Sequence, residues 1–277
     1  MNRWPLVSGM LLVASIVIAG EDAADDILAD ARDNMDQEQL EEAVRLATKA
    51  IDLGRPAAGY HLRAQAYGSL GKHELAIADC DKLLKIAHNQ AEIYDLRGSE
   101  QFKLGRITES IGDFDRFIEL RPEQQPRHWK RGISYYYAGR FADGQRQFEA
   151  YQAVDDNDVE NVVWRYLCMA RAEGVDRARA ALLDVRMDRR VPLMKVHALY
   201  KGEATVDDVF EAAQAGDPGS EELNERLFYA HLYVGLYYEA AGNGPAALEH
   251  IAKAAKKHTV SHYMGDVARV HADRLSR

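Results

Sequence analysis

A chain of 277 residues with 35 Lys and Arg against 44 Asp and Glu carries a formal charge of −9. Nucleic-acid binding needs an excess of cations to neutralise phosphates, so no nucleic-acid partner is expected. Ala, Leu, Glu and Arg dominate, prolines number 7 and no long alternating Val/Ile run occurs, which points to an all-α fold.

At the amino terminus Arg3 precedes an apolar stretch from Leu6 to Ile18, broken only by Ser8 and Gly9. Val17-Ile18-Ala19 then offers a cleavage site ahead of Glu21 and Asp22. The stretch is shorter than the ~20 residues that cross a bilayer. Residues 1–19 are therefore predicted to be a removed signal peptide, the alternative being an uncleaved anchor. The protein is expected to be exported to a periplasmic or other extracytoplasmic compartment, touching a membrane only through an uncleaved N-terminus.

Beyond that segment the sequence is periodic. Gly71, Gly105 and Gly139 recur every 34 residues, and Arg63, Arg97, Arg131 and Arg165 keep the same step. Tyr60, Tyr94 and His128 each lie three residues before one of these arginines, while Cys80, Phe114 and Phe148 share another phase. Apolar residues at helical spacing on both sides of a glycine define a helix–turn–helix unit. The spacing predicts an array over 20–190, with repeats at 24–56, 57–90, 91–124 and 125–158 and a degenerate one at 159–190. The first has a polar leading helix, expected to fray or cap. The fifth keeps Trp164, Tyr166 and Ala178 and lacks the central glycine.

Asp79 and Asp113 follow Arg63 and Arg97 by sixteen residues, which predicts structural ion pairs. Arg131 has Gln147 at that distance and is expected to be less tied. Cys80 and Cys168 lie three repeats apart, well beyond the ~7 Å Cα separation a disulfide spans. Two buried free thiols are expected.

Residues 191–227 break the register and read as a helical connector. Val191-Pro192 interrupts the chain, Leu193 to Tyr200 forms a short helix ending near Gly202, and Thr205 caps another. Asp217-Pro218-Gly219-Ser220 is a turn. The repeat returns at 228–261 with Gly235, Tyr238, Gly242, Ala247, Ile251 and Ala254 in place. Residues 262–277 supply the amphipathic helix that shields the last apolar face of a solenoid.

This pattern resembles the tetratricopeptide repeat (TPR) family over about two thirds of the chain. The resemblance carries Tyr60, Ala64, Tyr67, Gly71, Ala76 and Cys80 in one unit and Gly132, Tyr135, Gly139, Phe141 and Phe148 in another. It implies an all-α solenoid that binds a protein or peptide partner in its concave groove, without cofactor or catalysis. The groove positions it implies are His61, Gln65, Asp95, Phe102, Trp129, Ile133, Tyr136 and Tyr137. Exposed aromatic clusters mark binding sites, so the rings are assigned to that groove. The alternative is that the fifth repeat or residues 191–227 fold back over them. The carboxylate clamp of some TPR domains has no match, since His61, Gln65, Leu96, Pro126 and Lys130 stand at its positions. The C-terminal half, through Tyr200, Gly202, Tyr229, Gly235, Tyr237, Tyr238, Gly242, His258 and His262, resembles bacterial periplasmic TPR lipoproteins of the new-lipoprotein-I type. That narrower resemblance implies a homodimeric adaptor serving an envelope protease or hydrolase, here without the lipid-bearing cysteine.

Few residues suggest chemistry. Gly242-Asn243-Gly244 followed by Ala247 fits a dinucleotide pattern but falls between two helices, where it reads as a turn. His258 and His262 are separated by a predicted turn and are read as solvated or capping residues, not metal ligands. No metal site and no catalytic residue are assigned. The remaining alternatives are a membrane-anchored assembly component of an envelope complex and an unrecognised hydrolase or accessory subunit.

Overall fold

The computed structural model describes residues 23–276, so the expected signal peptide lies outside the described residues. Among those residues there are only helices, turns and loops. The chain divides into two compact units, residues 1–101 and 102–277.

In the first unit, α1 (23–36) and α2 (Leu40–Asp52) make one hairpin, and α3 (Pro56–Ser69) and α4 (His73–Ile86) make the next. The polar α1 buries Ala24, Leu28 and Ala31, an i, i+4, i+7 stripe, and Leu28 and Ala31 pack with Leu46, Ala47 and Ala50 of α2. Pro56 opens α3 at its first turn, where a missing N–H costs nothing. Gly71 turns α3 into α4 at φ +69, a conformation other residues resist. α5 (Ala91–Lys103) follows and leads into the second unit.

The recurring arginine reaches both ways along the chain. Arg63 grips Asp79 on α4 through Nε (2.6 Å) and Nη2 (2.9 Å) and gives Nη1 to Thr48 on α2 (2.9 Å). Arg97 donates to Asp81 on α4 at 2.6 Å. In the second unit Arg131 pairs with Asp115 at 2.7 Å and also reaches Gln147 at 3.3 Å, which corrects its expected freedom. Arg165 bonds Glu149 at 2.8 Å. Each of these last three acids stands sixteen residues before its arginine, on the second helix of the preceding repeat, so the guanidinium fastens one hairpin to the next.

The second unit contains α6 (Ile107–Leu120), a 3₁₀ turn (Pro122–Arg127), α7 (Trp129–Tyr137), α8 (Phe141–Tyr151) and α9 (Val159–Glu173). Then come α10 (Val175–Ala180), α11 (Leu193–Lys201), α12 (Val206–Gln214), α13 (Ser220–Ala240), α14 (Gly244–Lys256) and α15 (Tyr263–Leu275). The helices approach closely where side chains are absent: a Cβ on Gly132 would lie 2.7 Å from the Phe148 ring, and one on Gly144 2.8 Å from Cys168 Sγ. The fifth repeat does keep a turn glycine. Gly174, at φ +97, joins α9 to α10 one position later than the 34-residue step.

Across the connector, the Val191–Pro192 peptide is cis, Gly202 ends α11 in the left-handed region, and Thr205 and Asp208 form a reciprocal capping box on α12. α13 begins at Ser220, ahead of the repeat start at 228, and runs for 21 residues. It is buried continuously from Phe228 to Leu236 because α9, α11, α12 and α14 all pack on it. A helix apolar on every side belongs in the interior. Cys80 and Cys168 are buried free thiols, each pushed up to about 12 by burial.

Candidate functional site: an aromatic cavity in the second unit

The eight groove positions do not share one open surface. His61 on α3 and Asp95 on α5 are half-buried and Gln65 on α3 is exposed, all within the first unit. In the second unit Phe102, Ile133, Tyr136 and Tyr137 are buried, with Phe102 at 0 % and Tyr136 at 1 % exposure. The open trough expected over these four residues is filled by the chain itself. Tyr263 of α15 stacks on Phe102 with centroids 5.4 Å apart, and Trp164 of α9 meets Tyr136 edge-on at 5.4 Å. The cover therefore comes from α9 of the fifth repeat together with α13 and α15.

A polar network locks this cover down. Glu239 of α13 accepts from Tyr136 Oη at 3.1 Å and from Arg171 Nη1 of α9 at 3.0 Å. His271 Nε2 of α15 lies 3.2 Å from the same carboxylate. His271 Nδ1 is 2.9 Å from Tyr137 Oη. Burial alone would raise the Glu239 carboxyl, but His271 and Arg171 outweigh it and hold it down at about 2. Tyr136 and Tyr137 thus tie helices together; they are not free to meet a ligand.

Trp129 differs. It is half-buried and stands in the wall of a cavity of about 250 Å³, with Trp164, Tyr229 and Tyr263 as further rings and Asp158, Glu160 and Asn161 at its polar end. Asp158 caps α9, taking Glu160 N at 2.9 Å and Asn161 Nδ2 at 2.6 Å. Arg190 bridges three carboxylates: Asp158 at 2.8 Å, Glu160 at 2.5 Å and Asp188 at 2.5 Å. The Tyr233 hydroxyl donates to the other oxygen of Glu160. Burial pushes the Glu160 carboxyl up, against the pull of Arg190, to about 7. Two polar atoms of lining residues, Trp164 Nε1 and Asn161 Oδ1, are closed to solvent and have no hydrogen-bond partner in the protein. Most such groups are paired in native structures, and leaving one unpaired costs ~1–3 kcal/mol. The cavity thus combines aromatic side chains with one cluster of charged groups, the composition of a concave ligand site.

Of the groove positions that the resemblance implied, Trp129 and Ile133 line this cavity, whereas Glu160, Asn161, Arg190, Tyr229, His262 and Tyr263 were not among them. One signal was available. Phe228 to Leu236 has His231 as its one strongly polar residue, and a helix so uniformly apolar requires an interior around it. No group of three or more His, Cys, Asp or Glu placed to hold a metal ion occurs among the described residues.

Paired helices stacked hairpin on hairpin, joined by glycine turns and recurrent arginine clamps, define a helical-repeat solenoid. Residues 57–90 match the family model of the tetratricopeptide repeat, and the fold is like that of solved TPR proteins. A tetratricopeptide repeat protein from Parabacteroides merdae ATCC 43184 superposes with a TM-score of 0.60 at 15 % identity, covering 92 % of this chain and 100 % of that one. The MamA protein gives 0.54 at 15 % identity over 66 % of this chain and 94 % of that one. Pseudomonas aeruginosa PilF gives 0.51 at 13 % identity, over 91 % and 99 %. No curated protein matches the sequence. No helix among the described residues is long and apolar enough to cross a membrane.

Proposed function

We propose that this protein is an exported, non-catalytic scaffold that holds a protein partner at the Trp129 cavity of its second unit. The observation that carries the reading is the cavity itself, lined by Trp129 and other aromatic side chains beside Asp158, Glu160 and Arg190. TPR solenoids present extended surfaces to other proteins, and rings around a small polar core are what an anchoring residue of a partner needs. The buried thiols favour binding over chemistry, because a thiol raised to about 12 supplies no thiolate at neutral pH. Export rests on the apolar N-terminal stretch, and N-terminal sequencing of the mature protein separates a cleaved signal from a retained anchor. An envelope protease or hydrolase as partner, and a homodimeric assembly, follow from the resemblance of the C-terminal half.

The test is photo-crosslinking from position 129, using Trp129→p-benzoylphenylalanine in cells of the source organism. Discrete adducts should form from position 129 and not from the same probe at Gln65. His262 lines the cavity and its ring stacks on Tyr229 at 5.9 Å; His262→Trp, which adds bulk there, should abolish the adducts while a thermal melt shows the protein still folded. Adducts that persist in His262→Trp overturn the reading.

A further inference from the structure

We infer that α12 is an acid-sensitive flap, latched onto α13 and α14 by a cluster of three histidines that holds it only while the rings are uncharged. His231 of α13 and His258, just past the end of α14, are buried; His250 of α14 is half-buried. The His231 ring lies 5.1 Å from that of His250 and stacks on His258 at 5.3 Å. Phe210 of α12 closes the cluster, 4.7 Å from the His231 ring and 5.6 Å from that of His250.

Geometry limits how many protons the cluster can hold. His231 Nδ1 and His250 Nδ1 are 3.0 Å apart, so one carries a hydrogen and the other offers a lone pair. Two neutral rings satisfy that contact, and so does a pair sharing one extra proton, whose charge the Phe210 face attracts. A second extra proton sets two N–H groups head to head and meets the first as a like charge. The neighbours do not relieve it. Lys253 and Lys257 add positive charge, and Glu249 is bonded to Lys253 at 2.7 Å. From α13 come the Tyr238 ring, 5.6 Å from His250, and Asn224, whose Oδ1 lies 3.3 Å from His258 Nδ1. Of the carboxylates on α12, Asp208 is bound into the Thr205 cap and Asp207 and Glu211 are exposed.

Burial first, and then these charges, hold all three histidines below their ordinary 6.5, His231 at about 3. Groups held down in this way support the closed form fully above pH 6.5 and lose that contribution as pH falls. Lifting Phe210 hydrates the rings and lets them take up protons, so acid favours the open form. α12 is the element free to move. It has nine residues and lies between Gly202 and Gly216, both in the left-handed region. Arg226 Nη1 holds Ala215 O at 2.8 Å at any of these pH values, so the helix pivots from its C-terminal end. Opening bares the seats of Val209 and Ala213, both fully buried when closed, and so gives the second unit an apolar face in acid.

Hydrogen–deuterium exchange of the full chain, read over Val206–Gln214 and corrected for the intrinsic pH dependence of amide exchange, tests the latch. The opening constant of α12 should rise about tenfold or more per pH unit below about 6.5, the slope of at least one proton taken up per opening. Amides of α9 should stay protected over the same range. His231→Phe keeps a ring against Phe210 that cannot charge, and should remove most of the slope. His250→Gln, at a half-buried position, should reduce it, and decides alone if His231→Phe does not fold. An opening constant independent of pH in the unmodified chain overturns the latch, as does a slope that both variants leave unchanged. Exchange rising in parallel over α9 and α12 reports unfolding of the whole unit and overturns it as well.

Discussion

Equivalent positions of the repeat carry opposite residues in the two units. His61 and Gln65 on α3 lie two 34-residue repeats before Trp129 and Ile133 on α7. In the first unit the pair is polar, one half-buried and one exposed; in the second, Ile133 is sealed at 1 % exposure and Trp129 walls a cavity. The repeat sets the backbone path, while side chains at these positions decide whether the inner face meets solvent or more of the chain. Apolar residues there need a cover, and α9, α13 and α15 provide it.

The largest break in this contrast comes from Tyr136→Ala in the second unit. It removes a buried ring and the hydroxyl on Glu239, and should lower that unit's stability by ~3–5 kcal/mol, read from the denaturant midpoint of tryptophan fluorescence. Gly132→Ala should follow at ~1–3 kcal/mol, because its Cβ has the Phe148 ring in its place and the core must shift. Gln65→Ala in the first unit should change stability by less than ~0.5 kcal/mol. A loss at Gln65 matching that at Tyr136 would erase the distinction.

Between those extremes, pH separates two carboxyls within the second unit. Glu239 is held at about 2, below its ordinary 4.5, so its contribution is complete above pH 4.5 and is lost as pH falls toward 2. Glu160 is raised to about 7, so its fold favours the protonated acid and stability declines as pH rises from 4.5 to 7. Each slope amounts to something on the order of 3 kcal/mol across its window. Glu239→Gln should flatten the acid limb and Glu160→Gln the neutral one, both visible in thermal melts from pH 2 to 8.

The solenoid was legible because its signals are local and repeated: turn glycines, small residues at contact points and arginines every 34 residues. The partners of those arginines were half-legible. Asp79 was found sixteen residues after Arg63, whereas Asp81, Asp115 and Glu149, sixteen residues before theirs, belong to contacts between hairpins that a single-repeat alignment does not display. The cavity was harder still. Arg190 and Glu160 come together across 30 residues, and Tyr233 reaches Glu160 across 73, distances set by how α13 returns through the unit. Aromatic clusters also read alike whether they await a ligand or a helix, and the nearly unbroken apolar run of α13 from Phe228 to Leu236 is the signal that separates the two cases.

Side-chain accessibility of the tyrosines settles most directly whether the second unit covers its own rings. Hydroxyl-radical footprinting of the intact protein should leave Tyr136 and Tyr137 unmodified while Tyr60, Tyr67 and Tyr94 in the first unit, all partly exposed, are oxidised. Oxidation of Tyr136 and Tyr137 at the rate of Tyr60 would show an open trough, and a second unit that covers its own rings would be wrong.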